Sequence, residues 1–231
     1  MRFATGAQGT SSEAGRHAWK FLAPGAVAPF AGTRWPTPSA AGPGAWVVGE
    51  TEDIYACRTE DLSWWVDCEL WEVELAGPVE EFPTQLRGRA GRLLAHVAAW
   101  DGAALYAYGE ACAWRAREWA VEALVSEQLG REAEVLRQCQ TLDELTSRAR
   151  AAEGLSRGRN LAGFLADTAA RASQGKAALA ACNAASAAIL YRGSPEAFEA
   201  ERRWQAAWIA KRAQLPAPAE GSDAAAAPLR P

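Results

Sequence analysis

The chain has 231 residues, of which 49% are hydrophobic and 23% are charged, and its formal net charge is −4. This composition is typical of a folded globular protein and excludes an intrinsically disordered one. The chain has 24 basic and 28 acidic residues. Because phosphate binding requires a basic surface, we do not expect nucleic acid to be the main partner.

The sequence also indicates where such a protein resides. No apolar run reaches the roughly 18 residues of a membrane span, and the first residues do not follow the signal-peptide pattern. The five cysteines are far apart and there are two histidines, so no zinc-ligand or Cys-x-x-Cys spacing occurs. Free thiols are typical of a reducing compartment. We therefore expect a cytoplasmic protein with neither a membrane partner nor a metal.

Tryptophan is the unusual component of the composition, with 11 residues in the chain. Such side chains either fill an aromatic core or line a pocket, because the large ring needs burial while its N–H needs an acceptor. Most of the excess falls in the first hundred residues: Trp19, Trp35, Trp46, Trp64, Trp65, Trp71 and Trp100.

Four regions are expected along the chain. Residues 1–16 and 216–231 are small, polar or low in complexity and are predicted to be disordered tails. Residues 17–100 are predicted to form a β-rich domain, because the many prolines and glycines in its first part exclude long helices. Short strands are expected at 18–22, 45–48 and 53–57. Thr59, which precedes two acidic residues, is the predicted N-cap of a short helix.

The segment 69–75 is the clearest strand, because Trp71, Val73 and Leu75 alternate with Glu72 and Glu74. A further strand is predicted at 92–97, with Arg92, Leu94 and His96 on one face. These strands predict a small, mostly antiparallel sheet.

Residues 101–215 are rich in alanine and are predicted to be helical and packed on the sheet. A long helix is expected to run to about Val125, with Gly130 as its stop, followed by helices at 132–139, 142–153, 160–173 and 176–190. Ser194 as N-cap and Pro195 at the first helical position predict a last helix that runs to about Arg212. Its tryptophans, Trp204 and Trp208, are expected to pack on the sheet. The fold class is therefore α+β.

Three side chains are candidates for catalysis. Glu72 and Glu74 share a strand face at roughly 7 Å spacing, which suits an acid and a base in a cleft but also a solvated sheet face. His96 is a candidate base, and the alternative for it is a structural role.

The segments KFLAPGAVAPFAGTRWP (20–36), IYACRTEDLSWWVDCELWEVELAGPVEE (54–81) and GRAGRLLAHVAAWD (88–101) resemble a family found in actinobacteria that has no established activity. A more distant similarity points to the ADP-ribosyltransferase fold, through a strand ending in Ile-Tyr-Ala, a short aromatic helix and a strand reading Glu-Val-Glu-Leu. This similarity implies that Tyr55 stacks on nicotinamide, that Trp64 and Trp65 lie behind it, and that NAD is a candidate cofactor.

Two functional hypotheses follow. In the first, an aromatic cleft binds a small planar or nucleotide-like ligand, in an enzyme or a former enzyme. Its predicted ligand-binding residues are Trp35, Tyr55, Arg58, Trp64 and Trp65. In the second, the tryptophans are core and the helical half binds a protein partner. A homodimer is compatible with the Ala-rich helices, which gain little from burial alone.

Overall fold

The structure is a computed structural model that describes residues 2–3, 15–49 and 53–216. The predicted tails, 1–16 and 216–231, lie almost entirely outside these ranges. Within the first of them, Arg2–Phe3 forms a short strand and Arg16 begins another. The strands lie in the N-terminal half and the helices in the C-terminal half, which confirms the α+β prediction.

Two antiparallel sheets form the N-terminal half. Their strands are β1 (Arg2–Phe3), β2 (Arg16–Leu22), β3 (Val47–Val48), β4 (Ile54–Ala56), β5 (Glu69–Ala76), β6 (Glu80–Phe82), β7 (Gln85–Gly88) and β8 (Ala90–His96). The larger sheet has the strand order β1-β3-β8-β5-β2 and the smaller sheet has the order β4-β7-β6.

One apolar core is shared by the two sheets. The larger sheet contributes Val73 and Leu75, the inward residues of the predicted alternation, and the smaller sheet contributes Ile54 and Leu86. Glu72 and Glu74 alternate with these buried residues on the other face, as the period of two requires. The alternation therefore sets which face of β5 is buried.

The helical half consists of six α-helices in the described part of the chain. Three begin at side-chain caps: Asp101, Thr141 and Ser156 each accept from a backbone N–H of the first turn. Gly130 was predicted to end a helix but begins one, so that prediction is wrong. The helices are α1 (Gly102–Ser126), α2 (Gly130–Arg137), α3 (Leu142–Ala152), α4 (Arg157–Ser173), α5 (Ala177–Arg192) and α6 (Glu196–Arg212).

A second apolar core fills the helical half and extends to the larger sheet. Alanines of α1, α4 and α5 are buried in it, which lets the helices pack closely. Phe21 of β2 and Leu70 of β5 belong to the same core, and Phe21 meets Trp100 edge-on at 5.7 Å between ring centroids. The two halves therefore share buried apolar surface.

Helix α6 is joined to a 3₁₀ helix (Thr59–Trp64) by buried polar groups. Arg202 is 7% exposed and donates through Nη1 to the Ser63 carbonyl at 3.0 Å, while the Ser63 hydroxyl donates to the Arg202 carbonyl at 2.9 Å. The guanidinium also lies 4.8 Å from the ring centroid of Trp64. This reciprocal pairing fixes the 3₁₀ helix against α6.

The two tryptophans of α6 do not pack where the sequence predicted. Trp208 lies 5.5 Å from Tyr108 between ring centroids, and Trp204 lies under the guanidinium of Arg115. Both partners belong to α1, so the prediction that these rings pack on the sheet is wrong. The residues of α6 that reach the sheet half are instead those facing the 3₁₀ helix.

Candidate functional site

A cavity of about 960 Å³ lies where the sheet half meets α5. Its walls come from β2, the loop that follows β2, β4, the 3₁₀ helix and the start of α5. This volume falls in the range of small-molecule sites, and the lining is mostly apolar and aromatic. We call this cavity the aromatic cleft; it is lined among others by Trp19, Lys20, Phe30, Trp35, Asp53, Tyr55, Cys57, Trp64, Trp65, Asp67 and Ala178.

Trp35 forms part of the cleft wall and carries a polar group without a partner. The side chain is 2% exposed, and its Nε1 makes no hydrogen bond within the part of the chain that the structure describes. A buried indole N–H ordinarily finds an acceptor, because leaving it unpaired costs about 1–3 kcal/mol. The Nε1 atom is shielded from the cavity, so an acceptor could reach it only if this wall of the cleft moved.

Lys20 places an amine beside the same ring. Alternation along β2 puts Lys20 on the face of Ala18 and Leu22, one of two faces of this strand that carry buried apolar residues. Its Nζ donates to the Tyr55 carbonyl at 2.5 Å and lies 5.0 Å from the centroid of the Trp35 ring. No carboxylate of the described ranges lies within ion-pair distance of this nitrogen.

Burial in these surroundings lowers the pKa of Lys20 to about 8, because the ammonium loses water without gaining a carboxylate. The nearby Cys57 acts weakly in the opposite direction. Burial itself raises the pKa of the Cys57 thiol well above its ordinary value, and the Sγ donates to the Trp19 carbonyl. Near neutral pH the cleft therefore holds a cation that loses its proton easily, beside an unreactive thiol.

A tight turn after β2 holds Trp35 in place. Gly25 and Ala26 both have positive φ, and their N–H groups donate to the two carboxylate oxygens of Glu69 at 2.7 and 3.0 Å. The backbone N–H of Trp35 then donates to the Ala26 carbonyl at 2.8 Å. Burial acts to raise the pKa of the Glu69 carboxyl group. The two backbone N–H donors and the indole N–H of Trp71 outweigh this effect and hold that pKa below its ordinary value. The ionised Glu69 thus positions one wall of the cleft.

The opposite wall is the end of the 3₁₀ helix. Trp64 packs against Phe198 of α6 at 5.6 Å between ring centroids, and Trp65 donates from Nε1 to the Thr84 carbonyl at 2.6 Å. Thr59 was predicted to cap this helix, but it is the first helical residue and its hydroxyl accepts from Trp19 Nε1 at 3.0 Å. Contacts distant in sequence therefore fix both indoles of this wall.

Four of the predicted ligand-binding residues come together in the cleft. Trp35, Tyr55, Trp64 and Trp65 all line it, and the Tyr55 side chain is 40% exposed. Arg58 does not line it. The Arg58 guanidinium bonds Asp61, Glu81 and the carbonyls of Phe82 and Pro83, which ties the 3₁₀ helix to the β6–β7 turn. Arg58 is thus occupied by structural contacts.

The predicted catalytic residues lie elsewhere. Glu72 is hydrogen-bonded to His17 at 2.8 Å and Glu74 to Arg92 at 2.7 Å, on the outer face of the larger sheet. None of Glu72, Glu74 and His96 lines the cleft. The side chains of Glu72 and Glu74 are 33% and 16% exposed, so both are partly buried partners of basic residues.

A β-bulge changes the face on which His96 lies. The pairing of β5 and β8 shifts between Glu72 and Val73, so that His96 pairs with Trp71, with ring centroids 4.7 Å apart. The extra residue moves His96 away from the face of Arg92, where the sequence predicted it. That prediction is wrong for this reason, and His96 is exposed.

Lys20 and Glu69 were not predicted from the sequence. A signal for Lys20 was present, because a lysine surrounded by apolar residues in a predicted strand (AWKFL, 18–22) requires an explanation. Glu69 offered no such signal, since its partners are backbone N–H groups 43 and 44 residues away in sequence.

Over the described residues, no group of three or more His, Cys, Asp or Glu side chains has the arrangement of a metal site. None of the helices described is long and apolar enough to cross a membrane.

Comparison with known proteins adds no relative to this description. No protein-family model, no curated protein and no solved structure matches the chain. The resemblances noted in the sequence therefore stay predictions, and the function has to be inferred from the cleft.

Proposed function

We propose that this protein binds a small planar molecule that carries an oxygen acceptor, and that the aromatic cleft is the binding site. The observation that carries the proposal is the cleft itself, in which aromatic rings and the Lys20 amine line one cavity. The amine donates hydrogen bonds, and a carbonyl or carboxylate oxygen accepts them.

The walls of the cleft favour a flat ligand. Indole and phenol rings of Trp35, Tyr55, Trp64 and Trp65 line the cavity, and aromatic rings gain about 0.5–1.5 kcal/mol from stacking beyond the area they bury. Because Trp64 and Trp65 are already held in place, these side chains lose little conformational entropy when a ligand binds.

Charge favours a neutral or anionic ligand. Lys20 carries most of its positive charge at pH 7, because its pKa is about 8. The Asp53 carboxylate, which also lines the cleft, is engaged by Arg87 at 3.4 Å and Arg89 at 3.3 Å. An anionic oxygen therefore meets an attractive field near Lys20.

NAD remains one candidate within this class. The resemblance to the ADP-ribosyltransferase fold implies it, and the nicotinamide ring is planar with an amide carbonyl. In that case Tyr55, which is partly exposed at the cleft, is the stacking residue that the resemblance implies. A planar acid or amide of other origin meets the same requirements, so NAD belongs in the test as one probe among several.

Partner binding through the helical half is the alternative, and no observation on the helices favours it. Their exposed large apolar side chains are scattered; Tyr106 and Val125 are nineteen residues apart on α1, which is about 28 Å along a helix. Leu179 and Ile189 are likewise exposed singly on α5. Isolated exposures of this kind are normal on a soluble surface.

Isothermal titration calorimetry with 2-naphthoate, nicotinamide and NAD tests the proposal. Naphthoate has about thirteen non-hydrogen atoms, which at about 0.3 kcal/mol each correspond to a Kd of about 1 mM or lower. The blocking variant is Ala178→Trp, since Ala178 lines the cleft, and the matched control is Leu179→Trp, since Leu179 is exposed outside it.

The proposal predicts that at least one probe binds the unmodified protein and Leu179→Trp, and that Ala178→Trp weakens binding at least about tenfold, which is about 1.4 kcal/mol. Equal binding by both variants would place the ligand outside the cleft. Absence of heat with all three probes, confirmed by equilibrium dialysis, would contradict the proposal.

A further inference from the structure

Lysine is rare in this chain, and one of its lysines lies in the cleft. Of the 24 basic residues, three are lysines: Lys20, Lys176 and Lys211. Lys176 and Lys211 are exposed, whereas Lys20 is half-buried and lines the cavity. An arginine supplies charge but no nucleophile, because its guanidinium stays protonated, whereas a lysine amine that loses its proton attacks carbonyl carbons.

The surroundings of Nζ keep this amine in a reactive state. Among the residues that the structure describes it has one hydrogen-bond acceptor, the Tyr55 carbonyl, and the Trp35 ring lies 5.0 Å away at its centroid. The other charged groups lining the cavity are Asp53, which pairs with Arg87 and Arg89, and Asp67, and neither forms an ion pair with Lys20 within the described ranges. Burial lowers the pKa of Lys20 to about 8, so a sizeable fraction is the free amine near neutral pH.

We propose that Lys20 forms an imine with the carbonyl group of a planar aldehyde or ketone bound in the aromatic cleft. The inference rests on the proposed function and narrows its ligand to carbonyl compounds. Lys20 and the aromatic rings that such a ligand would stack on line the same cavity.

The step requires no oxidant and no reductant. The lone pair of the neutral Nζ forms a bond to the carbonyl carbon while the C=O π bond breaks, and the oxygen takes up a proton. The resulting carbinolamine loses its hydroxyl group and a proton from nitrogen as one water, and the C=N double bond forms. Hydrolysis by the reverse route returns the carbonyl compound.

Reductive trapping tests the proposal. The full chain is incubated at pH 7.5 with 2-naphthaldehyde and sodium cyanoborohydride, and the naphthylmethyl group is located by peptide mass mapping. The free-amine fraction at this pH is about two hundredfold larger for a pKa of about 8 than for an ordinary lysine. We expect Lys20 to react at least about tenfold faster than Lys176 and Lys211, which serve as controls in the same molecule. Mapping also separates the α-amino group from Lys20.

Two variants identify the cleft as the place of reaction. Lys20→Arg keeps the charge and removes the nucleophile, so it should lose labelling at this position. Binding to the cleft itself is measured on the unmodified protein with 2-naphthalenemethanol, which has no carbonyl group. Ala178→Trp should slow the labelling of Lys20 at least about tenfold relative to Leu179→Trp, in line with its effect on binding.

The outcomes separate the two proposals. If 2-naphthalenemethanol or 2-naphthoate binds the cleft and Lys20 reacts no faster than the exposed lysines, imine formation is wrong and ligand binding stands. If labelling is fast but unchanged in Ala178→Trp, Lys20 reacts from outside the cleft and the inference is overturned. If no probe binds and Lys20 is not labelled, both proposals fail.

Discussion

Arg202 should be among the residues on which the stability of the protein most depends, because it joins α6 to the wall of the cleft. The perturbation is Arg202→Ala. It removes two charged hydrogen bonds, to the Ser63 carbonyl at 3.0 Å and to Gln205 Oε1 at 3.2 Å, and the contacts of the guanidinium with Trp64 and Phe198. Each bond to a charged group is worth about 1.5–3 kcal/mol, so the two together are worth about 3–6 kcal/mol, part of which relaxation around the smaller side chain recovers.

We therefore expect Arg202→Ala to lower the free energy of unfolding by about 3–5 kcal/mol, measured by urea denaturation with tryptophan fluorescence. At about 2–4 °C per kcal/mol, Tm should fall by roughly 6–20 °C. Arg202→Met keeps most of the volume and should lose less. The matched control is Arg203→Ala, because Arg203 is the exposed neighbour and should change stability by less than about 0.5 kcal/mol. A loss below about 1 kcal/mol for Arg202→Ala would refute this account of the joint.

Three further predictions concern the backbone, the thiols and the cleft amine. Gly44→Ala should destabilise the protein by more than about 2 kcal/mol in urea, because the new Cβ would lie 2.1 Å from the Pro36 carbonyl oxygen, which is backbone; stability equal to that of the parent would show that the loop moves freely. In the native protein at pH 8, Ellman's reagent should react rapidly at Cys182, the exposed thiol, and slowly elsewhere until urea is added; a fast phase that survives Cys182→Ser would contradict this. Folding lowers the pKa of Lys20 from 10.5 to about 8, so between these pH values the unfolded chain binds more protons at this lysine than the folded chain does. Deprotonation of the folded state also removes the cost of burying an ammonium group. The stability of the parent relative to Lys20→Met should therefore rise with pH across this window, and a constant difference would argue against a buried ammonium.

The periodic elements were predictable from the sequence, whereas contacts between distant elements were not. The alternation in 69–75 correctly places Val73 and Leu75 inside, because a period of two leaves one solution once a face is buried. One extra residue in β8 defeats the same logic for His96, since a bulge has no signature in the alternation of polar and apolar residues.

The candidate site shows the same division. Aromatic residues were predicted to form a cleft, and Trp35, Tyr55, Trp64 and Trp65 do line one cavity. The carboxylates chosen for catalysis lie on the outer face, because a charged face toward solvent is also what an amphipathic strand presents. The decisive polar group, Lys20, was not predicted, and the available signal was a lysine among the four apolar residues of its strand.

The central claim is that a planar ligand binds against the aromatic walls of the cleft. Indole N–H signals in a ¹⁵N–¹H NMR spectrum report this directly, and Trp35→Phe assigns the signal of Trp35 among those of the 11 tryptophans. On titration with 2-naphthoate, the account predicts a saturable shift of the Trp35 indole proton, because the Trp35 side chain lines the cleft. A Trp35 signal that stays in place while naphthoate binds would contradict it.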